Sequence, residues 1–387
     1  MTCDADVIVV GGGLAGTAAA VAIARLGLQT LHLAPPAPPD RRTSALMMPS
    51  VDFLQRAGLI AAPAEIGHPL TRIRIIDATS RLIRAPETLF DAAEAGLFAF
   101  GWNFPNARLL EAFSASGPKE TLETQPHTAA SFRRDEGMGI LTLDNGEELK
   151  APLIVAADGK KSMLRGAAGI VPREHPFTEA ALVCDLRLAR PIGTTSIEFH
   201  YPHGPFTLVA AGDDRANLVW IDEESVLRAA QAGGPEHLRS AILAKSQRLF
   251  GTIEVVSPSF VFPLSVLSVT TAGRDGVALV GEAAHAFPPI GAQGLNLGLR
   301  DVAGLVSALE AVDREQHDWA EKVILDYSAR RMGDLASTGA MVEGLFRSLL
   351  ADMVPAQLVR ASGLWALKSA PPLRRAAFQL GMGARRS

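Results

Sequence analysis

The segment Gly281-Glu282-Ala283-Ala284-His285-Ala286-Phe287-Pro288-Pro289-Ile290-Gly291-Ala292-Gln293-Gly294-Leu295-Asn296, running on to Asp301, concentrates the residue types that can hold an electron-rich ligand. It follows an apolar run at 277–280 and opens into an apolar helical pattern from Leu295 onward. Gly291, Gly294 and Gly298, with two prolines, bracket a tight turn between strand and helix. In such a turn backbone N–H groups and a helix N-terminus can face a ligand at close range. A second glycine cluster, Gly11-Gly12-Gly13-Leu14-Ala15-Gly16, lies near the other end of the chain. The two together make a flavin cradle the leading reading.

The elements that must position these residues are legible around them. Residues 6–34 read as strand (7–10), glycine turn (11–16), helix (17–26) and strand (30–33). That is a βαβ unit whose three glycines serve the turn, the close approach of a phosphate and the packing of helix on strand. A proline-rich connector at 34–39 ends the second strand, and a helix is expected near 51–57. Period-two segments at 71–77, 81–84, 195–201, 206–210 and 217–221 predict strands of a separate antiparallel sheet. Between them Ala151-Pro152-Leu153-Ile154-Val155-Ala156-Ala157-Asp158-Gly159 reads as a buried strand ending in a turn. From about Trp319 the pattern is helical, broken at Pro355 and at Pro371-Pro372.

The fold class expected is α/β: a Rossmann-like, three-layer dinucleotide domain with an inserted antiparallel-sheet domain and C-terminal helices. The boundaries expected are 1–70, 95–172 and 268–320 for the discontinuous dinucleotide domain. Residues 71–94 and 173–267 make the sheet domain that would hold the substrate, and 321–387 a C-terminal helical segment. A length of 387 residues suits two domains rather than one core. No apolar run approaches the roughly 20 residues of a membrane-spanning helix, and the chain enters a strand pattern at once, so no secretory signal is expected. Cys3 and Cys184 are too few and too isolated for a zinc site or a disulfide framework. A cytoplasmic protein without a metal or nucleic-acid partner is the expectation.

Net charge is −4, but residues 330–387 carry nine Arg/Lys against three acids, leaving 28 basic and 38 acidic residues elsewhere. A basic, apolar tail on an acidic body reads either as a docking surface for an anionic membrane or a partner, or as a capping helix with a solvated basic face.

Four blocks, in order, carry a family resemblance. They are Gly11–Gly16; Asp40-Arg41-Arg42-Thr43-Ser44-Ala45-Leu46; Ala157-Asp158-Gly159-Lys160-Lys161-Ser162 with Arg165; and the segment from Gly281 to Asp301. The chain resembles the class A flavoprotein aromatic monooxygenases, and within them the ubiquinone-biosynthesis hydroxylases that act on polyprenyl phenols. A weaker fifth block, Gly344-Leu345-Phe346-Arg347 through Pro371-Pro372-Leu373-Arg374, is similar to the quinone-pathway branch. The resemblance runs nearly end to end, with the middle sheet its least diagnostic part.

The resemblance implies FAD as cofactor, with its pyrophosphate at Gly11, Gly13, Leu14, Ala15 and Gly16, and Arg42 beside it, Arg41 being the alternative. Asp158 would contact FAD or the NAD(P)H co-substrate. Gly281 and Glu282 stand where the family has Gly-Asp, so Glu282 is expected on the ribityl chain. Pro289, Gly291, Gly294, Leu295 and Asn296 would line the flavin ring, with backbone N–H groups of Gly294, Leu295 and Asn296 stabilising charge on the reduced ring. Ala34 replaces the acid that usually binds the adenosine ribose, which predicts weaker FAD retention. His285 is expected to be a packed, hydrogen-bonded structural histidine, with a catalytic base as the alternative.

No protein residue is assigned as catalytic: the resemblance implies that NAD(P)H reduces FAD, that O2 adds at the flavin C4a carbon as a hydroperoxide, and that one oxygen passes to a phenol ring. Only one dinucleotide fingerprint is present, consistent with a nicotinamide donor that has no domain of its own. Candidates for the substrate face are Arg72 and Arg74, where a solvated strand face is the alternative to a carboxylate grip, and His200, Tyr201 and His203. The partners expected are a lipophilic phenol and O2, with a peripheral contact at the inner membrane face or with a quinone-synthesis complex. Hydroxylation of a small soluble aromatic, or a non-catalytic flavoprotein scaffold, are the alternatives.

Overall fold

The computed structural model describes residues 3–79, 84–350 and Trp365. The Pro371–Arg374 block, most of the strand expected at 81–84 and the basic tail beyond 350, Trp365 apart, lie outside the described residues.

A six-stranded sheet holds the first glycine turn. Its order is Gly273–Arg274, Val277–Leu279, Leu153–Ala156, Val7–Val10, Thr30–Leu33, Leu122–Gln125. The last five strands run parallel, and Gly273–Arg274 pairs antiparallel at the edge. Val7 to Val10 are all buried, as expected for a central strand covered on both faces. Burying each such valine is worth about 1.5–3 kcal/mol. One face is covered by the Leu14–Ala24 helix, in which every residue from Gly16 to Ala24 is buried, together with the Asn106–Ala115 and Gln293–Ala311 helices. Its alanines let that helix lie close to the strands. The opposite face is covered by an antiparallel meander, Ala129–Asp135, Met138–Leu143 and Glu148–Ala151. Leu141, Leu143 and Leu149 join the same core as Ile154. This is a three-layer α/β arrangement.

A nine-stranded sheet is built chiefly from Arg72–Asp77, Thr88–Asp91 and residues 173–268. The Thr195–Tyr201 strand pairs parallel to Arg72–Asp77, while its other neighbour, Gly204–Ala210, is antiparallel. The helices Glu224–Ala232 and Gly234–Lys245 cover one face, where Phe199, Phe206, Trp220, Leu227, Ile242 and Phe250 form one cluster. On the other face Ala181, Ile221 and Leu264 pack against Ile290 of the Gly281–Asp301 segment. That inner face therefore looks toward the second glycine turn. The Trp319–Leu350 helix, 32 residues or about 48 Å at 1.5 Å per residue, packs on the six-stranded sheet and reaches the inner face of the larger one.

The period-two segment at 195–201 forms a strand with those bounds, and those at 206–210 and 217–221 extend to Gly204–Ala210 and Arg215–Glu223. The turn after Val277–Leu279 is longer than the glycine spacing suggests. A short 3-10 turn, Gly281–Ala283, and a two-residue strand, His285–Ala286, intervene, and the helix starts at Gln293 rather than Leu295. The first helix likewise starts at Leu14, directly after the glycines.

Candidate active site

The first turn admits only glycine at two places. A Cβ on Gly11, whose φ is +129°, would lie 2.2 Å from the carbonyl oxygen of Ala157. One on Gly16 would lie 2.0 Å from the carbonyl oxygen of Gly11. Gly13 differs: it is the N-cap of the Leu14–Ala24 helix, with no side-chain cap, and nothing lies within 4 Å of the place its Cβ would take. The N–H groups at Leu14 and Ala15 thus open onto free space at a positive helix end. His32, buried on the second strand, braces the turn: its Nε2 donates to Gly11 O at 3.0 Å. Burial holds this imidazole below its ordinary pKa, with the Gly11 hydrogen bond opposing the shift.

The same close contact of Gly11 with Ala157 brings the second motif alongside. Asp158 Oδ2 accepts from Leu164 N at 3.2 Å, whereas its Oδ1 is buried without a hydrogen-bond partner among the described residues. Unpaired buried carboxylate oxygens are costly, so this one asks for a donor from a ligand. Arg165 is a brace rather than a ligand contact. Its guanidinium donates to Lys160 O and Ala283 O, both at 2.9 Å, tying the 157–162 turn to the 281–283 turn. Burial lowers its pKa against the opposing charges of Asp158 and Glu174.

The third motif meets the first through contact of small residues. A Cβ on Gly281 would lie 3.0 Å from Ala15 Cβ, and one on Gly298 would lie 3.3 Å from Gly281 Cα. Gly291 and Ala292 then have left-handed φ of +63° and +54° before the Gln293–Ala311 helix starts. That helix has no side-chain cap, and nothing lies within 4 Å of the Cβ position at Gly294. Its open N-terminus matches that of the first helix. With the helix starting at Gln293, the N–H of Asn296 is the first that helix geometry pairs internally, with Ala292. Of the three N–H groups expected to face a ring, those of Gly294 and Leu295 remain open. The Asn296 side chain is fully engaged: its Oδ1 accepts from Met47 N (2.8 Å) and Ser50 Oγ (2.7 Å), and its Nδ2 donates to Ala45 O (2.9 Å) and Ala292 O (2.6 Å). Asn296 therefore pins the helix to the Thr43–Met47 strand.

The pair Arg42 and Glu282 sits at the rim. Arg42 makes a bidentate contact with Asp40, at 2.9 and 2.8 Å, and Asp40 also accepts from Asn106 Nδ2. The Asp40 hydrogen bond and charge, with a lesser contribution from Glu282, raise the Arg42 pKa against burial. Glu282 itself is exposed, as is Pro289. Ala34 stands at the end of the second strand; its Cβ would be 3.1 Å from a Cβ on Gly12.

Sequence reasoning missed a buried charge network behind this site. Asp301, fully buried, accepts from His285 Nε2 at 2.6 Å, Gly281 N at 2.9 Å and Arg331 Nε at 2.8 Å. Arg331 in turn reaches Asp334 at 2.6 Å, and Asp334 pairs with Arg300 at 2.8 Å. Burial would raise the Asp301 carboxyl, but the charges of His285 and Arg331 and the hydrogen bonds hold it below the ordinary range. The available signal was an acid three residues after Gly298, in a helix whose neighbouring positions Leu297, Leu299 and Val302 are apolar.

Two substrate-face candidates fall on the wrong side. Arg72 and Arg74 line a groove of about 450 Å³ with Arg190, Leu249 and Phe250, on the helix-covered face of the large sheet, and Arg74 is paired with Glu87 at 2.8 Å. They do not face the glycine turns. Tyr201 also points to the helix-covered side, donating to Lys245 O at 2.6 Å, and His203 is an exposed residue 3.5 Å from Glu223. Only His200 faces inward, 2.6 Å from Glu198.

Comparison with known proteins places this geometry. Residues 4–335 match the family model described as FAD binding domain. The chain is 30% identical over 390 residues to ubiquinone hydroxylase UbiL of Rhodospirillum rubrum, covering 98% of this chain and 90% of that protein. It is 29% identical to the 3-demethoxyubiquinol 3-hydroxylase of Escherichia coli, over 98% of each. Among solved structures, p-nitrophenol 4-monooxygenase PnpA of Pseudomonas putida superposes with a TM-score of 0.80 at 18% identity over the full length of both chains. Klebsiella pneumoniae HpxO complexed with FAD and uric acid does so at 0.77 and 16%, over 98% of this chain and 97% of that one. At those identities the likeness shows the fold.

Proposed function

We infer the function from one premise: the chain belongs to the FAD-binding-domain family of flavoprotein monooxygenases, in its ubiquinone-hydroxylase branch. It is an FAD-dependent aromatic monooxygenase, and NAD(P)H is the co-substrate typical of the family. The finer reading is that it hydroxylates the ring of a polyprenylated phenol during ubiquinone synthesis, with O2 as oxygen donor. The observation that carries this reading is the meeting of the first glycine turn with Ala157 at Gly11 and with Gly281 at Ala15, Gly298 of the following helix packing on Gly281, in a chain aligned almost end to end with ubiquinone hydroxylases.

The residues present fit FAD. The open Cβ position at Gly13 and the uncapped helix end at Leu14 and Ala15 suit its pyrophosphate, with Gly11 and Gly16 keeping the turn tight. Asp158 Oδ1 offers a buried acceptor with no protein donor. Glu282, and Arg42 beyond it, stand at the rim for the ribityl chain and phosphates. Gly291, Gly294 and Leu295 present open backbone groups where a ring would lie, with Pro289 at its edge. Bound and reduced by NAD(P)H, FAD supplies the activated oxygen. The chain binds and orients the phenol against it, and the wall of Ala181, Ile221, Leu264 and Ile290 keeps water from the inner face.

No helix among the described residues is long and apolar enough to cross a membrane. A lipophilic substrate still has to be drawn from a bilayer or a lipid-binding assembly, so the basic tail is assigned a peripheral contact. The test is whether a farnesyl-substituted phenol accelerates NAD(P)H oxidation by the FAD-loaded protein and gains one oxygen. A small water-soluble phenol doing so equally well would move the assignment to soluble aromatics.

A further inference from the structure

The geometry points to His200, held by Glu198, as the base that takes the proton of the substrate's ring hydroxyl; this rests on the phenol-hydroxylating reading above.

Ring hydroxylation by an electrophilic oxygen is faster on a phenolate than on a phenol, because the ionised oxygen pushes electron density into the ring. A group on the protein that accepts that proton lets the phenolate form at a pH where the free phenol stays neutral. The chain has only two tyrosines. Tyr201 lies on the helix-covered side, donating to Lys245 O, and Tyr327 is buried, donating to Leu279 O at 2.6 Å. Neither reaches the inner face.

Residues Glu198 and His200 do. Side chains alternate along a strand. Phe199 belongs to the helix-covered cluster and Tyr201 packs against it, so Glu198 and His200 face the other way. The ladder pairs Glu198 with Thr207, Thr207 with Val219 and Val219 with Val183. Val219 packs with Ala181, Ile221, Leu264 and Ile290, the apolar wall under the second glycine turn. Two strand spacings, about 10 Å, separate Glu198 from that wall, within the span of an aromatic ring and its substituents.

His200 Nε2 lies 2.6 Å from Glu198 Oε1, and the residue is 8% exposed. A carboxylate only accepts, so Nε2 carries the proton and Nδ1 keeps its lone pair. Among the described residues Nδ1 has no hydrogen-bond partner. The neighbouring strand contributes Asp77 beside His200, but its carboxylate accepts from Thr79 N, Thr79 Oγ1 and Ala85 N, at 3.1, 2.6 and 2.8 Å. Thus Glu198 is the acid that meets the ring. In the step, the phenol O–H bond breaks, its electron pair stays on oxygen and an Nδ1–H bond forms. Glu198 holds the imidazole's orientation and stabilises the resulting cation, as a carboxylate does in a triad.

The experiment uses the FAD-loaded full chain and a farnesyl-substituted phenol, whose ultraviolet difference band reports ionisation on binding without turnover. The wild type should bind it ionised at a pH where the free phenol is neutral. His200→Gln should raise the pH of that transition by at least one unit and cut turnover about 10²- to 10⁴-fold, with recovery at high pH and unchanged flavin content. Glu198→Gln should move both in the same direction by less, and it gives the same comparison if His200→Gln loses flavin. An unchanged ionisation midpoint and rate in these variants would overturn the role. Failure of the wild type to bind the probe would instead overturn the substrate class, and the role with it.

Discussion

One buried carboxylate, Asp301 Oδ2, lies 2.6 Å from His285 Nε2, across the whole turn that separates the two residues in sequence. The same oxygen accepts from Gly281 N at 2.9 Å, so the turn's start and middle are fixed from the helix that follows it. Arg331 on the long C-terminal helix closes the network from outside. The cradle's shape thus depends on residues that touch no ligand.

Asp301→Asn should therefore destabilise the protein by about 3–5 kcal/mol, because it removes the fully buried counter-charge of Arg331 and His285 and leaves Arg331 only the less buried Asp334. Because the folded carboxyl sits below its unfolded value of 3.8, its contribution is present above that value and is lost as pH falls through the folded pKa. Chemical unfolding as a function of pH checks both points: the variant should lose the part of the acid sensitivity below about pH 4 that Asp301 supplies.

His32 acts in the opposite window. Its folded pKa is lowered by burial, so the unfolded chain binds a proton that the folded chain refuses. Stability should fall as pH drops below 6.5, the ordinary value. His32→Gln should flatten that part of the curve and cost about 1 kcal/mol for a weakened bond to Gly11 O. Melting temperatures between pH 5 and 7.5 decide it, a range that brackets the ordinary imidazole value.

The two kinds of glycine in the first turn should separate folding from cofactor binding. Gly16→Ala places a Cβ 2.0 Å from Gly11 O and should prevent a native fold. Gly13→Ala meets nothing within 4 Å in the protein. It should melt like the wild-type apoprotein yet bind FAD at least tenfold more weakly, as read by recovery of flavin fluorescence. Equal FAD affinity would remove the pyrophosphate from this turn.

Ala34→Glu should tighten FAD binding about tenfold or more, since a carboxylate accepting from ribose hydroxyls contributes about 1.5–3 kcal/mol. Titration calorimetry of the apoprotein measures this. Nanomolar binding in the wild type, unchanged in the variant, would show that the ribose is held elsewhere.

The turns themselves could be read from sequence because they rest on local requirements. Gly11 and Gly16 are forced by backbone contacts within one βαβ unit, and buried strands such as Val7–Val10 announce themselves by composition. What stayed hidden depends on contacts remote in the chain. Alternation in 71–77 suggests a strand but not which face meets a helix, so it leaves a substrate grip and a solvated face both open for Arg72 and Arg74, which lie on the helix-covered side. The Asn296 side chain is spent on Ala45, Met47 and Ser50, some 250 residues away in sequence, which no local pattern announces. Asp301 gave no local signal of its partner Arg331, which arrives from a separate helix 30 residues later.

The most direct test is turnover of a farnesyl-substituted phenol by the purified, FAD-loaded protein with NAD(P)H under an atmosphere of ¹⁸O2, read by mass spectrometry. The expected product carries one ¹⁸O on the ring and forms in step with NAD(P)H consumed. NAD(P)H oxidation that yields only labelled hydrogen peroxide, or label appearing only in a small soluble phenol, would contradict it.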